Sequence, residues 1–148
     1  MKTFIPFIFF IIFLSFPLTT QGGKQDTTRV CKKETLCVQA TIASSPETRK
    51  HGLRYISRLP EDRGILFVLP RFGFTPIWMK DTMIPLDIVW LDNKKKVVTI
   101  KPGAQPCVQG QCKYYYPAKK SLYILELTSG LTQKWDLQIG DRLIFELP

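Results

Sequence analysis

Two carboxylates, Asp81 and Asp87, stand in the run Trp78-Met79-Lys80-Asp81-Thr82-Met83-Ile84-Pro85-Leu86-Asp87, among side chains that otherwise belong in a core. A buried charge is costly unless it is paired or hydrogen-bonded, so charges at such positions need a reason. Paired carboxylates are the equipment of glycoside hydrolysis, one as acid and the other as base or nucleophile. Pro85 and a turn separate these two, so their spacing does not place them on one face. The competing role is structural, each acid capping a turn or pairing with Arg49, Arg58 or Lys80. A second chemistry uses the same neighbourhood. Arg49 and Arg58 flank Gly52-Leu53 and can converge with Lys80 on one anionic group, because the guanidinium fork matches carboxylate and phosphate geometry. Internal pairing with Asp81, Asp87, Glu126 or Asp141 would use those same cations. Trp78, Phe72, Phe74 and Trp90 either line a sugar-binding face or fill the core, the more frequent role for such residues. At least one of Tyr114, Tyr115 and Tyr116 should be exposed. The candidate ligand-binding set is therefore Arg49, Arg58, Trp78, Lys80, Asp81, Asp87 and Glu126.

Other chemistries are excluded more sharply. His51 is the one histidine and no G-x-S-x-G elbow occurs, so a nucleophilic triad lacks its parts. Cys31 and Cys37 are separated by five residues, Cys107 and Cys112 by four, unlike the two-residue knuckles of a zinc site or the C-x-x-C of a redox site. No metal and no cofactor are expected. In an exported chain, close cysteine pairs are expected to form disulfides, here Cys31–Cys37 and Cys107–Cys112, although sequence alone also permits the two crossed pairings.

The elements that must carry these residues are short. Val38, Ala40 and Ile42 alternate with Gln39 and Thr41, a period of two that predicts a half-buried strand over 36–43. Residues 23–35 read as a polar lead-in and the start of a hairpin stapled by the first disulfide. Ser44-Ser45-Pro46-Glu47 predicts a helix start with Ser44 as cap and Glu47 closing a capping box, and Gly52 ends that helix. Residues 64–69 form a fully apolar strand, followed by a loop from Pro70 to Pro76. Residues 88–91 and 97–100 around Asp92-Asn93-Lys94-Lys95 predict a hairpin. Lys101 to Pro117 reads as a long surface loop pinned by the second disulfide. Strands at 121–127 and 142–147 bracket one or two helical turns at 131–137. The expectation is one mainly β domain over 36–148, an α+β fold with few helices. Six or seven short strands and two short helices would make a small barrel or a strongly curved sheet.

The N-terminus adds a compartment. Lys2 precedes an apolar run over 4–18, too short to span a bilayer comfortably, where roughly 20 residues are needed, and of the length of a secretory h-region. Residues 1–22 are expected to be a signal peptide; the alternative is an uncleaved anchor formed by residues 4–18. The chain carries 21 Lys and Arg against 12 Asp and Glu, a net charge of +9. The basic residues are scattered, which favours a solvated stabilising face, while outside the cytoplasm the excess would also draw the domain to anionic surfaces. Nucleic acid is not an expected partner.

Several segments in register carry a resemblance. Arg49-x-x-Gly52-Leu53 with Arg58-Leu59, then Gly64-Ile65-Leu66-Phe67-Val68, Trp78 to Asp87, Pro117-Ala118 with Leu125-Glu126-Leu127, and the closing Gly130 and Gly140-Asp141 follow one pattern. That pattern resembles a prokaryotic family known as domain of unknown function 192, whose signature reads W-M-K-N-T-x-I-P-L-D. Asp81 departs from it, standing where Asn is usual. An ionised Asp accepts hydrogen bonds only, whereas Asn also donates, so a role attached to that Asn does not transfer. The resemblance implies architecture and export, and no reaction. The expected function is that of an exported, non-catalytic cell-envelope domain binding an anionic or glycan ligand or an envelope partner. The alternative is a hydrolase of envelope carbohydrate acting through Asp81 and Asp87.

Overall fold

A computed structural model describes residues 25–148, so the expected signal peptide over 1–22 and the anchor reading of 4–18 lie outside the described residues. The chain runs through β1 (Thr27–Lys33), β2 (Leu36–Ala43), α1 (Pro46–His51), β3 (Arg63–Gly73), β4 (Ile77–Trp78), β5 (Leu86–Leu91), β6 (Val97–Ala104), β7 (Tyr114–Tyr115), β8 (Ser121–Thr128) and α2 (Leu131–Lys134). One six-stranded sheet has the order β1-β2-β3-β8-β5-β6, and β4 pairs with β7 in a small second sheet. The β2–β3 pair is parallel, reached by the α1 crossover; the other ladders are antiparallel.

The mainly β class stands, while several boundaries move for identifiable reasons. The lead-in over 23–35 becomes strand at Thr27, because Thr28 and Val30 turn inward while Thr27 and Arg29 face water. Pro46 takes the first helical position of α1, which makes Ser45 rather than Ser44 the cap and Thr48 rather than Glu47 its partner. Ser45 Oγ accepts from Thr48 N–H at 3.1 Å, and Thr48 Oγ1 accepts from Ser45 N–H at 3.0 Å. Strand β3 continues to Gly73 through an irregular stretch after Val68, where Pro70 is tolerated. Within the expected surface loop, β6 extends to Ala104 and Tyr114–Tyr115 pair with Trp78 and Ile77. The expected last strand forms no ladder. Residues 142 and 144 make isolated bridges, Lys96 with Arg142 and Cys31 with Ile144, so the C-terminal segment touches both edges of the sheet without closing a barrel. Both disulfides are the local ones: Cys31 sits directly across the hairpin from Cys37, and Cys107 joins Cys112.

Strand alternation divides the core between two faces of one sheet. Leu66, Val89, Leu125 and Leu127 pack with Leu131 of α2, with Trp135 at that helix's C-cap, and with Leu143 and Phe145 of the C-terminal segment. Ile65, Phe67, Ile88, Trp90 and Ile124 pack on the other side with Leu53 and Met79. Trp90 is wholly buried, and its indole N–H donates to the Thr75 carbonyl at 3.0 Å. Gly64 is required where β3 crosses β8, since a Cβ there would lie 2.9 Å from the Glu126 carbonyl oxygen.

Asp87 is the exception in β5, every residue of which is buried. Its Oδ1 accepts the Gly103 N–H at 2.9 Å. Its Oδ2 accepts the N–H groups of Gly130 and Thr132 at 3.1 and 2.9 Å and the Thr132 hydroxyl at 2.6 Å. Gly130, the N-cap of α2, has no side chain with which to cap, so the β5 carboxylate satisfies the helix's first amides across space. Asp81 is held differently. It sits at φ 59°, its N–H donating to Cys107 O and its carbonyl accepting from Tyr55 N–H. Its carboxylate makes only long contacts, 3.4 Å to the Tyr55 hydroxyl and 3.9 Å to Arg54.

These environments predict opposite responses to the same substitution. Asp87→Asn places an amide donor against groups that themselves donate and should cost roughly 1–3 kcal/mol. Asp81→Asn should be nearly neutral, because Asn also adopts left-handed backbone readily. Urea unfolding of both variants beside the parent measures this, and an Asp87→Asn protein as stable as the parent would refute the structural role.

Candidate functional site

Around the face that buries Ile88 and Trp90, α1, the turn after it, the far end of β3 and the β4 arm enclose a pocket of about 540 Å³. Its basic side chains come from three directions: Arg49, Lys50 and His51 from α1 with Arg54 just beyond, Arg71 from β3, and Lys80 from beside β4. Apolar side chains make up most of the remaining wall, with Phe67, Leu69, Phe74, Ile77 and Trp78 among them beside Thr75 and Thr82. Gly52 turns the chain at the end of α1 with φ 51°, and a Cβ there would press to 3.3 Å from the Phe67 ring.

Glu126 is the single acid lining this pocket among the described residues. On β8 it lies between Ile65 of β3 and Ile88 of β5 in register, so strand parity aims it into the same face as Ile124. It is 5% exposed. No hydrogen bond or ion pair reaches its carboxyl among the described residues, whereas the other buried acid, Asp87, receives four donors. Among those residues no fully buried side-chain oxygen lacks a partner, so the Glu126 oxygens open onto the pocket. Burial pushes its pKa up to about 8, so the group is largely the neutral acid at neutral pH.

The rim is partly fixed and partly free. Arg49 donates to the carbonyls of Ser44 and Val68, the latter at 3.3 Å, which ties α1 to β3. Arg54 lies 3.9 Å from Asp81 Oδ2 and 5.8 Å from the Trp78 ring centre. Lys80 Nζ is 5.5 Å from the same ring. Trp78, 40% exposed, stacks on Tyr114 with centroids 5.2 Å apart and planes 15° from parallel. Arg71 and Lys80 make no salt bridge or side-chain hydrogen bond among the described residues.

Of the residues expected from sequence, the fold brings Arg49, Trp78, Lys80 and Glu126 to this pocket. Arg58 is exposed and outside the lining. Asp81 is also outside the lining, and Asp87 points to the opposite face of the sheet with its oxygens occupied, so the two acids share no cleft. Trp90 is core, while Phe72 and Phe74 are exposed. Sequence reasoning missed Arg54 and Arg71. The first lies two residues past Gly52 and the second directly after Pro70, positions that carry no period to announce them. Among the described residues, no group of three or more His, Cys, Asp and Glu side chains could hold a metal ion.

The family model DUF192, Uncharacterized ACR, matches residues 28–145. The chain belongs to this family. A UPF0127 protein of Thermococcus gammatolerans is 26% identical over 102 residues, which are 67% of this chain and 61% of that protein. The chain thus spans less than two thirds of that relative's length. A solved structure of a protein of unknown function from Novosphingobium aromaticivorans is similar in fold, with a TM-score of 0.70 at 23% identity over 81% of this chain and 84% of that one. A putative transcription regulator from Sinorhizobium meliloti is similar at 26% identity and a TM-score of 0.72, over 82% of this chain and 93% of its own. The family match over 28–145 thus spans the six-stranded sheet and the residues that line the pocket.

Glu126 makes stability depend on pH in a defined direction. Its carboxyl takes up a proton near 4.5 when exposed and near 8 when folded, so between those values the folded state binds more protons. Stability from this group is therefore full below about pH 4.5 and lost as pH rises toward 8. Glu126→Gln removes the penalty. Its advantage over the parent should grow across that window to a few kcal/mol, at about 1.4 kcal/mol for each pH step of one, and then level off. Urea unfolding near pH 5 and near pH 8 checks it; an advantage equal at both pH values would contradict the assignment.

Proposed function

We propose that this chain is an exported, non-catalytic cell-envelope domain whose pocket binds a small organic anion. The observation that carries the reading is the charge distribution of the pocket: Arg49, Lys50, His51, Arg54, Arg71 and Lys80 surround a cavity whose one acid is held toward its neutral form. Of these six basic side chains, only Arg54 forms a salt bridge among the described residues, and Arg49 also feels the Glu47 carboxylate, so together they form a positive field with room for a counter-charge. The apolar wall of Phe74, Ile77 and Trp78 suits the hydrocarbon or planar part of such a ligand. Two disulfides and the apolar N-terminal run support a location outside the cytoplasm, and the basic balance suits an anionic envelope component or a small ligand derived from one. Membrane contact, in this reading, is limited to the N-terminal segment where that segment is retained.

Isothermal titration with benzoate, inorganic phosphate and glucose tests the proposal. The anions should bind and the neutral sugar should not, with affinity falling as salt is added. Arg71→Gln combined with Lys80→Gln should weaken anion binding about tenfold or more, the value of one good charge-assisted contact. The fold should survive, because neither side chain makes a salt bridge or hydrogen bond among the described residues and Lys80 only faces the half-exposed Trp78 ring. Arg49 is a poorer probe, since it also ties Ser44 to Val68. Equal binding by the double variant and the parent would refute the reading.

A further inference from the structure

We infer that the Glu126 carboxyl is a ligand contact, donating its proton in a hydrogen bond to an oxygen of a bound organic carboxylate or sulfonate. This deepens, and rests on, the anion-binding reading. The geometry is that of a missing partner: a buried acid between Ile65 and Ile88, its oxygens open to the pocket, with no protein group bonding them among the described residues. Buried polar side chains are ordinarily satisfied, and one left bare in a cavity invites a ligand to complete it.

The sign of that ligand follows from the rim. A cation that could pair with ionised Glu126 would have to pass six basic side chains. An anion is attracted by them, but an ionised Glu126 would repel it. The neutral acid resolves the conflict, since an O–H···O⁻ bond is short and strong. Beside this donor, the uncharged hydroxyl side chains of the lining are Thr75 and Thr82, few enough to suit a singly charged head better than a phosphate dianion with more oxygens to solvate. The apolar wall then takes the organic body.

Binding is therefore linked to the Glu126 proton. The elements packed around this group present few other titrating side chains. From β5 comes Ile88; from β3 come Ile65, Phe67 and Arg71; from α1 and its turn come Arg49, Lys50, His51 and Arg54; from the β4 arm comes Lys80. Histidine as a class changes charge near neutrality, so His51→Asn is the control.

The experiment is calorimetric titration of sodium benzoate into the full chain, from about pH 6 to about pH 9.5. Only the protonated form is competent, so the parent's Kd should hold steady at low pH and rise about tenfold per pH unit above the Glu126 titration. Titration in buffers of different ionisation heat should count proton uptake approaching one per benzoate at the alkaline end. Glu126→Gln, which keeps a neutral donor, should bind within a few-fold of the parent's low-pH Kd and lose the slope, while His51→Asn keeps it. A parent Kd that is flat with pH, or the same slope in Glu126→Gln, overturns the Glu126 contact and leaves anion binding intact. No binding of benzoate or phosphate at any pH overturns both.

Discussion

The carboxylate of Asp87 is the tie on which the back of the sheet depends. An ionised carboxylate survives full burial only when donors replace its water, and here four donors converge on it from β6 and the start of α2. The same contacts cap a helix whose own N-cap is glycine and fix the end of β6 against β5. One side chain thus sets three elements in place, and α2 in turn brings Leu131 and Trp135 over the core. The charge that makes the signature conspicuous is structural glue on the face away from the pocket.

Glu126 shows what the same functional group does without that satisfaction. It lies on β8, the strand paired with β5, where Ile88 is its cross-strand partner and Asp87 faces Leu127. Adjacent positions on adjacent strands therefore send two carboxyls to opposite faces. The one that meets backbone donors has its oxygens fully occupied. The other meets hydrocarbon and an open pocket, and burial holds its proton to about pH 8. Environment, not residue type, separates a structural acid from a chemically available one.

Legibility in the sequence followed periodicity. Strands β2 and β8 announced themselves by alternation, and the β5–β6 hairpin by its turn residues, so the central ladders were readable. Strands β4 and β7 were not, because two residues carry no period and their pairing is decided by the stacking of Trp78 on Tyr114. The C-terminal segment alternates like a strand yet finds only single bridges at each sheet edge, a tertiary outcome that no local pattern encodes. Glu126 was visible as an acid on the Ile124 side of an alternating strand, but its lack of a partner was not. Arg58 and Arg54 are indistinguishable as residue types, and only the turn after α1 decides which of them reaches the pocket.

The pocket is assembled from connections rather than from the ladder. Its floor is sheet, through Glu126 and Phe67, while its rim is α1, the end of β3 past the irregularity at Val68, and the arm bearing Trp78 and Lys80. That arm is fastened by an isolated bridge from Lys80 to Cys107 and by the Asp81 amide bonding the Cys107 carbonyl, and Cys107 is itself closed to Cys112. The second disulfide therefore does more than shorten a loop. By holding Cys107, it stabilises the segment that places Tyr114 under Trp78 and Lys80 at the pocket mouth. A rigid floor with a rim pinned at a few covalent and hydrogen-bonded points lets the rim residues vary while Asp87 and the apolar ladder preserve the fold.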